Sequence, residues 1–174
     1  PLLLRYVALT KRERLLTMAE FVAFEQRTEV LGQTMLSAMG GMGEQAVPFL
    51  EQYGLTDIHP EQWYPQQLWL DFLRAISGKD FNGMFDLVSI GMQIPDRAIF
   101  PPHINSISSA LQSIDAAYYM NHRNGKIGNY HARLIDDHQI EMVCENPYPC
   151  DFDYGLIYGL AKRFCKHGQH FTVR

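Results

Sequence analysis

The chain has 174 residues, 47% hydrophobic and 20% charged, with a formal net charge of -4. That length supports one domain with a sizeable core rather than two, and without a basic excess nucleic acid is not an expected partner. Three cysteines beside eight methionines make no secreted disulfide framework and suit a reducing cytoplasm.

The opening PLLLRYVAL is apolar but far shorter than the roughly 20 residues that cross a bilayer. It also lacks the basic start and small-residue cleavage site of a signal peptide. The chain starts without Met and stops at FTVR, which reads as mid-strand, so part of a longer protein is expected. Arg12 to Gln26 spaces Leu15, Met18, Ala19 and Val22 three and four apart, which predicts a helix. Thr28 is the candidate cap of a second helix from Glu29 toward Met39. Gly40, Gly41 and Gly43 read as a break or a close helix approach. A phosphate-cradling loop would need a preceding strand.

Helical pattern resumes from Glu44 to Tyr53, with Gly54 as its stop. HPEQWYP reads as a turn with local aromatics. Gln66 to Ile76 predicts an amphipathic helix, with Leu68, Phe72 and Ile76 on one face and Trp69 nearby. SGKDFNG reads as a loop, Met84 to Met92 as a buried segment, and the prolines at Pro95, Pro101 and Pro102 as bounds of a turn. Ile104 to Met120 is the longest helical candidate, through Ile107, Leu111, Ile114 and Tyr118.

The period then changes. Asn124-Gly125 is a turn signal. Ile127 to Ile135 and Gln139 to Cys144 pair as an antiparallel hairpin across Asp136-Asp137. Asp151 or Asp153 would cap a helix through Leu156, Leu160 and Phe164 that leaves at Gly168, and Phe171 to Arg174 starts another strand. This order, helices first and strands later, predicts an α+β fold with an antiparallel sheet.

The stretch CENPYPC holds Cys144 and Cys150 six residues apart. Both thiolates could reach one zinc ion, although a tetrahedral site needs four ligands. A disulfide between them, a thiolate at Cys150 activated by the helix N-terminus, and a proline-shaped turn with two half-buried thiols are the other readings. Asp151 and Asp153 would oppose the activation. Cys165 reads as core. His122 and Arg123 close the long helix, where they favour its C-terminus or meet an anion facing Tyr130 and His131. Asp136, Asp137 and His138 read first as a turn. No Ser-His-Asp order or nucleotide loop stands out.

YPCDFDYGLIYGLAKRF, with Cys150 before a helix of G-x-x-x-G form at Gly155 and Gly159, resembles a superfamily. It contains the 4-vinyl reductase domains, the haem nitric-oxide-binding domains and a class of vesicle-tethering subunits. The hairpin after NHRNGKIGNY is similar too. The resemblance spans roughly the last third of the chain by motif. It implies a compact domain, often dimeric, with an apolar pocket between helices and sheet. In the phenol-sensing relatives a structural zinc uses a cysteine just before this helix, which makes Cys150 a candidate ligand, while their other ligands come from a segment after the next strand that this sequence does not include. The Tyr-Ser-Arg clamp that holds haem propionates is not found, so haem is not expected; His103 would be the axial candidate.

The reading that follows is a cytoplasmic sensor domain for a small apolar or aromatic ligand, a homodimer with no membrane span. Its pocket is expected around Trp69, Phe72, Met92, Tyr118, Tyr119, His122 and Arg123. A scaffold module without ligand and a thiol enzyme using Cys150 with His122 or His131 are the alternatives.

Overall fold

The structure is a computed structural model and describes residues 2–7, 20–77 and 87–174. Most of the helix expected from Arg12, and most of the SGKDFNG loop, lie outside them. The fold is α+β, and it holds two sheets.

The first strand, β1 (Leu2–Val7), is the apolar opening segment. Leu4 at its centre is fully buried. Continuous apolar character is what a strand inside a sheet requires. The expected hairpin forms from β5 (Asn129–Asp136) and β6 (Gln139–Glu145), with a bulge between Leu134 and Asp136. Asp136 Oδ1 accepts the His138 N–H at 2.7 Å, so the acidic turn works as a turn.

The sequence predicts an antiparallel sheet, but this sheet is mixed. Its order is β5-β6-β1-β7, and β1 runs parallel to both β6 and β7 (Phe171–Val173). Parallel neighbours need a crossover. The helix Cys150–Phe164 supplies it, leaving β6 and returning to β7 on the far side of β1.

A second, antiparallel sheet joins β3 (Trp63–Pro65), β2 (Glu29–Leu31) and β4 (His122–Arg123). It corrects three expectations. Glu29 to Leu31 is strand, and α1 (Gly32–Met39) begins only after it. Thr28 caps nothing; its hydroxyl donates to the Glu25 carbonyl at 2.7 Å. HPEQWYP contains a strand as well as a turn.

Residues 20–26 are turns and bends, not helix. Their backbone groups are taken by the helix beneath them. Gln67 accepts from Ala23 N at 2.8 Å and donates to the Phe21 carbonyl at 2.9 Å, and Arg74 reaches the same carbonyl at 2.7 Å.

Beyond a 3-10 turn at Glu44–Ala46 come α2 (Val47–Gln52) and α3 (Gln66–Ser77), the latter close to its expected bounds. Next is α4 (Leu87–Arg97), and Pro95 sits inside it rather than at a turn. The helix ends just beyond, where Arg163 donates to the Pro95 and Ala98 carbonyls and Arg97 donates to the Gly40 carbonyl. Arg163 thus meets the electronegative end of α4, and Arg97 that of α1.

The expected long helix is two: α5 (Ile107–Gln112) and α6 (Ile114–Asn121). Ser106 and Ser109 form a reciprocal capping box at the start of α5. That box leaves His103 exposed in the preceding loop. Ser113 divides the helices, its hydroxyl bonding the Ala110 carbonyl at 2.7 Å in competition with the helical ladder. The last helix, α7, is the crossover Cys150–Phe164. Pro149 is its N-cap; Asp151 and Asp153 lie within its first turn instead of capping it.

The G-x-x-x-G of α7 is a packing device. A Cβ at Gly155 would lie 2.1 Å from the Val88 carbonyl oxygen of α4, and one at Gly91 of α4 would lie 2.2 Å from that of Phe152. At Gly159 the nearest α4 atoms, of Met92, would be 3.1 Å away. The helices therefore touch backbone to backbone.

Candidate functional site: a buried aromatic and polar cluster

Inward-facing residues of α3, α6, β4, β5 and the Asn146–Tyr148 turn meet in one cluster. Trp69 and Phe72 stack at 5.3 Å and are fully buried. Tyr118 packs edge-on against Tyr130 at 5.1 Å, and its ring lies 4.0 Å from that of His122. Tyr148 stacks on Phe152 at 5.1 Å. Among these rings sit the buried polar side chains Gln66, His122, Asn146 and Asp153.

Hydrogen bonds order the cluster. His122 Nδ1 lies 3.0 Å from the Tyr118 carbonyl and Nε2 lies 2.8 Å from the Tyr148 hydroxyl. A carbonyl only accepts, so Nδ1 carries the proton, and neutral Nε2 accepts from Tyr148. Burial pushes the His122 imidazole down to about 4 against a lesser opposing effect of its bond to the Tyr118 carbonyl, which keeps the ring neutral at pH 7. The Tyr118 hydroxyl donates to the Ile127 carbonyl at 2.6 Å, and Gln66 Nε2 donates to that hydroxyl at 3.4 Å.

Tyr130 donates to Asp153 Oδ1 at 2.5 Å, and Asn146 Nδ2 donates to Oδ2 at 3.2 Å. Asn146 Oδ1 in turn accepts from Tyr148 N at 2.8 Å, fixing the turn. Burial, reinforced by Asp153, raises the Tyr130 phenol well above its ordinary value. Burial also dominates the upward shifts of Tyr118 and Tyr148, which the Gln66 amide partly offsets.

Two atoms break this order. Gln66 Oε1 and Trp69 Nε1 are buried without a hydrogen-bond partner among the described residues. Buried polar groups are paired as a rule, so these two atoms are the exceptions in the cluster that call for an explanation.

Of the side chains expected to line a pocket, Trp69, Phe72, Tyr118 and His122 are buried in or beside this cluster. Met92 is half-buried and lies against α7 at Gly159. Tyr119 is 57% exposed. Arg123 points away, stacking over Trp63 at 4.2 Å and bonding Glu29 at 2.7 Å; its carboxylate partner is internal. Gln66, Tyr148 and Asn146 were not anticipated, and Asp153 was expected as a helix cap and as a charge opposing activation of Cys150, not as a member of this cluster. Their partners are up to 52 residues distant in sequence, so no local spacing reveals them.

Cys144 is buried on β6, Cys150 is half-buried at the first residue of α7 and Cys165 follows that helix. No three His, Cys, Asp or Glu side chains among the described residues could together hold a metal ion. His131 and His138 are exposed on the hairpin. A separate open groove of about 510 Å³ lies at the hairpin tip, between Asp136–His138 and Lys166–His170. No helix among the described residues is long and apolar enough to cross a membrane. No protein family, curated protein or solved structure matches this chain.

Proposed function

We propose that this chain is a ligand-binding sensor domain for a small, largely apolar or aromatic molecule, working as a homodimer in the cytoplasm. The observation that carries the reading is the orphaned pair, Gln66 Oε1 and Trp69 Nε1, within an aromatic cluster. Small-molecule sites are mainly apolar walls with a few placed polar groups, and Trp69, Phe72 and Tyr118 supply such walls here. The surrounding hydrogen bonds hold the rings in fixed orientations, as a site organised before binding requires. Three cysteines beside eight methionines suit a reducing compartment.

Native mass spectrometry beside the denatured mass tests it. A noncovalent adduct of small-molecule mass on a dimer is the expected result. Trp69→Ala and Phe72→Ala should each weaken retention of that adduct. Unchanged affinity in both would remove the cluster from the reading, and a bare dimer across many preparations would favour a scaffold.

A further inference from the structure

We infer that the Gln66–Trp69 face takes a neutral head group that both donates and accepts a hydrogen bond, such as an amide or a hydroxyl, and rejects a carboxylate. This rests on the sensor reading above and deepens it. The two residues are three apart on α3, so they share one helix face. Gln66 Oε1 can only accept and the Trp69 indole N–H can only donate. An occupant that met both atoms would present one donor and one acceptor together. A carboxylate presents acceptors alone and would leave the Gln66 oxygen facing lone pairs.

Charge selects in the same direction. Among the residues whose burial is described, no Lys or Arg is buried. The hydroxyls of Tyr118, Tyr130 and Tyr148 and the neutral His122 ring offer dipoles, not counter-charge. Asp153 contributes a carboxyl group held by Tyr130 and Asn146. A buried anion would meet no buried cation among the described side chains, and an unpaired buried charge is strongly disfavoured.

Benzamide and benzoate have nearly the same shape and differ in charge and in donor capacity, so they separate these possibilities at pH 7. With 15N-labelled protein, benzamide should shift the Trp69 indole N–H resonance saturably. Trp63, covered by Arg123, is the internal control and should stay in place. Benzoate should leave both unmoved, and Gln66→Leu should weaken benzamide binding tenfold or more. Benzoate binding as tightly as benzamide would overturn the neutral-group inference while leaving the sensor reading standing. If neither probe moves Trp69 and its N–H shows contact with a trapped water, the orphans are a water site and the inference fails. The native mass spectrum then decides separately whether the sensor reading survives. The contrast between probes is read on the unaltered protein, so it holds even if Gln66→Leu does not fold.

Discussion

His122 ties the buried cluster to pH. Its ring is neutral in the fold and held down to about 4, whereas an unfolded imidazole titrates near 6.5. Between those values the unfolded chain binds the extra proton. Stability is therefore fully present above about pH 6.5, declines as pH falls, and reaches its floor near pH 4. From pH 7.5 to pH 5 the expected loss from this group is on the order of 2 kcal/mol. Urea unfolding at the two pH values measures it. His122→Asn should be less stable at pH 7.5 and show a smaller fall toward pH 5; an equal fall would mean that other groups carry the dependence. Tyr130→Phe tests the adjoining pair. The change removes the 2.5 Å bond to the buried Asp153 carboxyl group, so a cost of about 1–3 kcal/mol is expected at pH 7. A loss below about 0.5 kcal/mol would show that Asn146 and other contacts satisfy Asp153 alone.

At the scale of elements, the contact between α4 and α7 is set by the absence of side chains. Gly155→Ala puts a methyl 2.1 Å from a main-chain oxygen that cannot rotate away. The helices must separate, and overpacking of this kind costs typically about 1–3 kcal/mol, occasionally more. Gly159→Ala meets Met92 at 3.1 Å and should cost distinctly less. Thermal melts of the two variants give the order, and the reverse order would contradict the packing described. The elements that were legible from the sequence rest on local signals: periodic apolar residues in Gln66–Ser77, the Asn124-Gly125 turn with Asn124 at φ 66°, and the alternation across β5 and β6. Those that were missed depend on distant partners. Glu29–Leu31 looks helical in isolation and becomes strand by pairing with Trp63–Pro65 and His122–Arg123. Pro95 stays helical because it lies near the end of α4, where Arg163 takes up nearby carbonyls. The site was legible in its aromatics, Trp69, Phe72 and Tyr118, while its polar members depend on contacts made only in the fold.

The whole molecule turns on β1. The apolar opening was too short for a membrane and offered no alternation, yet it lies between β6 and β7. Its neighbours are residues 139–143 on one side and 171–173 on the other, so two remote parts of the chain meet only through it. A strand at a sheet's edge can fray alone, but one paired on both sides must open with the sheet. Native-state hydrogen exchange distinguishes the two. The β1 amides that bond within the sheet should exchange about as slowly as those of β6, and far more slowly than those of the exposed segment Lys166–His170. Leu4→Ala, at a fully buried position, should lower global stability by about 2–5 kcal/mol and accelerate exchange in β6 and β7 together. If β1 exchanged like a frayed end while β6 stayed protected, the central placement of β1 would be wrong. β7, which joins this sheet only through β1, would then need another partner.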